Sequence, residues 1–91
     1  VDEIEKHRWQ ALVDSFQLRK PGTDPWDALT LAANFNGASH GERCVIQFLL
    51  NLWDASGNWD CGKFDVIEAY SVWDEKNRNA FLKWATEPWW P

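Results

Sequence analysis

Methionine is absent from this 91-residue chain, cysteine occurs only twice, and nine bases face fourteen acids. Each scarcity removes a class of protein. Two cysteines, Cys44 and Cys61, are too few for the disulfide framework of a small secreted domain. The first twenty residues carry charges throughout and lack the apolar core of a secretory leader. The longest strongly apolar run, Cys44 to Trp53, is about half the length needed to cross a bilayer. The expectation is a cytoplasmic protein that makes no membrane contact. Too few bases also argues against direct binding to nucleic-acid phosphates, which needs a basic surface. No segment alternates apolar and polar residues with a period of two, which removes a β fold. The missing methionine says only that the initiator lies outside this numbering.

What the chain does have is aromatic mass. With 45% hydrophobic residues and eight tryptophans, it is a folding chain and not a disordered one. A length of 91 residues fits one domain, spanning 1–91, with a single core. The tryptophans are Trp9, Trp26, Trp53, Trp59, Trp73, Trp84, Trp89 and Trp90. Indoles serve small cores and binding hot spots alike, since each joins a large apolar body to one N–H donor. Trp26, Trp53, Trp59 and Trp73 are each followed by aspartate, but at irregular intervals, so no propeller-type repeat is present. Asp at these places instead caps or flanks the next helix.

Helix signals recur along the chain. Asp2 with Glu5 can cap a first helix, whose apolar stripe is Trp9, Leu12, Val13 and Phe16 and whose end is Arg19-Lys20 before Pro21-Gly22. Asp24 can cap a second helix with Pro25 at its first position, ending at Asn36-Gly37. Ser39-His40-Gly41-Glu42 is a capping box opening a helix over 40–53. Within that helix only Arg43, Gln47 and Asn51 are polar, four apart on one stripe. Asp65 and Asp74 cap two further helices, and 54–63 is a loop. The fold class is therefore all-α: a compact bundle of about five short helices around a central apolar helix, 40–53.

Several residue groups could carry chemistry. His40 and Cys44, at i and i+4, share a helix face, and with Cys61 and Asp54 or Asp60 they make a conceivable zinc set lacking the usual paired spacings. Cys44 and His40 could also be nucleophile and base, although no oxyanion hole or orienting acid is evident. Asp54, Ser56, Asn58 and Asp60, with Asp65 at the twelfth place, match a calcium-loop frame, but Trp59 stands where that loop needs glycine. None of these outweighs buried thiols and a capped polar loop. The expectation is no catalytic residue, no metal and no cofactor.

The net charge of −5 resides in 54–75, which holds six acids against Lys63 alone. A basic protein surface is the matching partner. The expected partner-binding residues are Asp54, Trp59, Asp60, Glu68 and Glu75, extended by the tail residues Trp89 and Trp90. Self-association through Trp89 and Trp90 is the other interaction open to the chain. Trp9, Trp26, Trp53, Trp73 and Trp84 fall on helical faces or helix ends and are assigned to the core.

The stretch Phe35-Asn36-Gly37-Ala38-Ser39-His40-Gly41-Glu42-Arg43, then Trp73-Asp74-Glu75 and Trp84-Ala85-Thr86-Glu87-Pro88-Trp89-Trp90, resembles small uncharacterised proteins of bacteriophages and other bacterial mobile elements. The resemblance covers about residues 28–90 and rests on capping and packing signals. It implies a setting in which compact acidic proteins inhibit host defence machinery such as CRISPR complexes. It transfers no functional residue.

Overall fold

The apolar run after Ser39 forms the helix around which the others assemble. The computed structural model describes residues 3–55 and 59–91, with side chains from Lys6 onward. It contains α1 (Glu3–Ser15), α2 (Ala28–Ala33), a single 3₁₀ turn (Phe35–Gly37), α3 (His40–Trp53), α4 (Val66–Val72) and α5 (Glu75–Thr86). No strand occurs among the described residues. The radius of gyration, 12.1 Å, matches the roughly 12 Å of a compact chain this long.

Three helix starts follow from their caps. The Ser39 Oγ accepts from the Glu42 N–H while the Glu42 carboxylate accepts from the Ser39 N–H, closing the box reciprocally. Asp65 takes the N–H groups of Ile67 and Glu68, and Asp74 takes that of Asn77. In α3, Cys44, Val45, Ile46, Phe48, Leu49, Leu50 and Leu52 are all buried. α2 and α4 pack on α3, while α1 packs on α5. Phe48 is the hub: its ring lies within 5.2–5.6 Å of those of Phe16, Phe64, Phe81 and Trp84.

The polar stripe of α3 is not simply solvated. Gln47 donates to the Cys61 carbonyl at 2.7 Å, Asn51 to the Gly62 carbonyl at 3.0 Å, and Arg43 to the Asn36 carbonyl at 3.0 Å. Two side-chain amides and one guanidinium thus hold two connections against the central helix by donating to their carbonyls.

The first two helices depart from their expected limits. α1 ends at Ser15, not at Arg19-Lys20. Leu18 is buried, yet nine helical residues after Trp9 it would point half a turn away, at about 100° per residue. The chain must leave the helix to bury both. Asn77 fixes the exit, its Oδ1 accepting the Gln17 N–H at 2.7 Å. Lys20, freed from a helix end, reaches Glu42 at 4.0 Å. α2 begins after Asp27, not Asp24: the Asp27 carboxylate accepts from Thr30, and its own N–H is spent on the Gly22 carbonyl. The Asp24–Pro25 bond is cis. α2 stops at Ala33, where Asn34 turns its amide back onto the Thr30 carbonyl, and Asn36-Gly37 belongs to the 3₁₀ turn. The expected Asp2–Glu5 capping box lies outside the described residues.

Two predictions follow from these local geometries. Gly22 has φ +99°, and a β-carbon there would sit 2.6 Å from the Leu31 N and 2.7 Å from the Asp27 carbonyl oxygen, both backbone. Gly22→Ala should therefore cost at least ~1–3 kcal/mol. Gly37→Ala, with nothing within 4 Å, should stay within about 0.5 kcal/mol. Chemical denaturation of the pair checks this, and equal effects would be the wrong outcome. The Ser39 N–H holds the Glu42 carboxyl below its ordinary range. A depressed acid contributes stability that is full above its unfolded pKa and lost as pH falls through its folded pKa. Glu42→Gln should accordingly flatten the acid limb of stability measured against pH.

Candidate functional site

At the C-terminal end of α3 an exposed tryptophan adjoins the aromatic core. Trp53, the last residue of that helix, is 36% exposed and is no core residue. Its ring lies 5.1 Å from Trp9 and 5.4 Å from Trp26, themselves 5.0 Å apart, with all three planes mutually inclined. These indoles, with Pro25 and Pro91, line a groove of about 730 Å³. Asp54 and Lys6 stand among its polar residues. That size is typical of ligand grooves, as is an apolar floor with few polar groups. The indole nitrogens of Trp9 and Trp26 are buried with no acceptor among the described residues. Their packing must therefore offset a desolvation cost.

Trp59 is half-buried against the core and donates its indole N–H to the Asp54 carbonyl at 3.2 Å. Asp54 and Trp59, both expected at a partner surface, are thus brought together beside the groove. Asp60 is exposed in the same loop. The other acids of 54–75 go elsewhere. Asp65 and Asp74 cap helices, Glu75 is exposed in the first turn of α5, and Glu68 pairs with His40. Two of the six acids are thus engaged as caps and a third in an ion pair.

The tail residues divide. Trp89 lies half-buried, edge-on to Trp9 at 6.3 Å, with the Arg8 guanidinium 4.1 Å over its ring. Its carbonyl accepts the Trp84 indole N–H at 2.9 Å. Trp90 touches Trp84 edge-on but is 66% exposed. Trp89 serves the fold, whereas Trp90 is available for contact.

The zinc set expected from sequence is rearranged. Among the described residues, one group of metal-ligating side chains comes within 4.8 Å of one another: His40, Cys44 and Glu68. Cys61, Asp54 and Asp60 belong to no such group, because Cys61 lies on the loop that Gln47 holds by its carbonyl. The His40 Nε2 is 2.9 Å from a Glu68 oxygen, across 28 residues of chain. Burial, then the charges of Glu68 and Asp65, push the Cys44 thiol up. Burial likewise raises Cys61, with Asp60 adding to it. Neither thiol is thus prepared as a thiolate nucleophile. Ser56 and Asn58 of the calcium frame lie outside the described residues.

No family model, curated protein or solved structure matches this chain. The site is therefore read from its own geometry. No helix among the described residues is long and apolar enough to cross a membrane.

Trp53 is the site residue that sequence reasoning misplaced, whereas Trp26 packs against the core as expected. Helical periodicity marks a residue as inward but does not say where the core ends. A half-buried Trp89→Ala should cost about 1–3 kcal/mol in stability, whereas Trp90→Ala should stay within about 0.5 kcal/mol. Thermal or urea melts distinguish them, and a neutral Trp89 variant would remove its structural role.

Proposed function

We propose that this chain is a non-catalytic binding module for a basic protein, with the Trp53–Asp54 end of α3 at the centre of contact. The observation that carries this reading is the exposed Trp53 over a tryptophan-lined groove beside the acidic loop. Aromatic anchors ringed by polar groups are the usual source of binding energy in an interface. Electrostatics favours the same place. A helix C-terminus carries partial negative charge, and the last turn of α3 holds no basic residue. Asp54 in the groove lining adds to that sign, with Lys6 in the same lining opposing it, and exposed Asp60 follows in the adjoining loop. A cationic partner segment lying along Trp53 would meet both the aromatic faces and the negative end of the helix.

The finer reading is a mobile-element inhibitor that occupies a basic, nucleic-acid-binding surface of a host complex. Its support is the resemblance to mobile-element proteins together with the net charge of −5. Affinity capture from a host lysate identifies the partner, and titration with variants then tests the surface. Trp53→Ala should weaken binding by roughly 30-fold, as a hot-spot residue does, with the helical circular dichroism retained. Asp60→Lys should slow association and reduce its salt dependence. Binding indifferent to both substitutions would sink the proposed surface. Competition between partner and nucleic acid supports inhibition by occupancy; a stable ternary complex would remove that finer reading while leaving the module.

Exposed Trp90 favours self-association as a second reading. A concentration-independent mass in sedimentation would eliminate it.

A further inference from the structure

The His40–Cys44–Glu68 cluster is independent of the groove and of any partner there. It is built by two helices whose starts are both fixed. The capping box sets the first turn of α3, placing His40 at its first position and Cys44 four residues on. Asp65 caps α4 and so sets Glu68 in its first turn. The helices are then tied together, since the Trp73 indole N–H donates to the Gly41 carbonyl at 2.9 Å, between the two α3 ligands. Ala69, fully buried next to Glu68, seats α4 on the core. Imidazole, thiol and carboxylate thus converge through backbone that is held, not through chance rotamers.

An ion pair alone does not account for this set. The His40–Glu68 contact is about half exposed on both sides, and such pairs contribute little, about 0–1 kcal/mol. Beneath it lies a thiol that is only 1% exposed, with its sulfur, a ring nitrogen of His40 and a carboxylate oxygen of Glu68 all within 4.8 Å of one another. Three different donor types converging on one point, one of them buried, form a set that a divalent cation would bridge.

We propose that His40 Nε2, Cys44 Sγ and a Glu68 carboxylate oxygen bind one zinc-class divalent cation, with the fourth position open to water. Nitrogen, sulfur and oxygen donors are those zinc accepts, and three protein ligands plus water is its open form of coordination. Tetrahedral zinc needs donor separations of about 3.3–3.7 Å. The present set spans 2.9 Å for the His40–Glu68 contact and lies within 4.8 Å overall. Side-chain rotation of the exposed His40 and Glu68 closes the difference while Cys44 stays in place. On binding, the Cys44 proton passes to solvent and His40 ligates as neutral imidazole. The pair is then a resting arrangement that the metal opens. Cys61 takes no part.

The test uses the full reduced chain, stripped with chelator and titrated with Co²⁺ followed by absorption, then displaced by Zn²⁺. Saturation at one equivalent with a thiolate-to-cobalt charge-transfer band is expected, and Zn²⁺ should bleach it. Cys44→Ala should abolish the band and Cys61→Ala should leave it unchanged. His40→Ala and Glu68→Gln, both at exposed positions, should each weaken affinity by at least about tenfold, with the circular dichroism spectrum retained. Absence of saturable binding, or a band that survives Cys44→Ala or vanishes with Cys61→Ala, overturns the site. Should Cys44→Ala fail to fold, full affinity in both of the other variants overturns it equally.

Discussion

Seven buried side chains on the fourteen-residue α3 leave that helix with a single polar stripe and no broad solvent face. A helix apolar on most of its circumference is stable only where neighbours cover it. α2 and α4 pack directly on it, while Phe16, just beyond the end of α1, and Phe81 and Trp84 of α5 meet it around Phe48. Phe48 therefore couples elements that are far apart in sequence. Aromatic rings suit that task, because each covers much area with few rotatable bonds and packs well at inclined angles.

The narrow polar stripe solves a second problem. A loop lying on an apolar helix would bury carbonyls without partners. Gln47 and Asn51 supply amide donors where the 59–63 loop crosses, and Arg43 supplies a guanidinium donor at the 3₁₀ turn. The same side chains thus keep the loop beside the end of α3, where Trp59 reaches the Asp54 carbonyl.

Local chemistry was legible in the sequence and remote chemistry was not. The starts of α3, α4 and α5 follow from Ser39, Asp65 and Asp74, whose hydrogen bonds reach only two or three residues. The end of α1 depends on Asn77, 60 residues away, and on burying Leu18, neither of which a periodic pattern encodes. For the same reason, the pairing of Cys44 with Cys61 was a fair expectation from residue type, while Glu68 at His40 is visible only in three dimensions. Trp53 was assigned inward by its helical position. Its exposure comes from standing at the last turn, beyond the reach of the packed layers. Asp65 and Asp74, by contrast, are legible as caps and serve as caps.

Arg8 over Trp89, and Trp9 against the same ring, join the first helix of this segment to its last residues. α1 has α5 as its main helical neighbour, so the order of synthesis runs opposite to the order of contact. While the chain emerges, α1 must wait for almost everything that follows before its principal surface is covered. Until then the edge of Trp9 that Trp89 covers stays open to solvent. Of the principal helix contacts, α1 with α5 closes the longest stretch of chain, so it carries the largest closure entropy and forms only after the intervening helices exist.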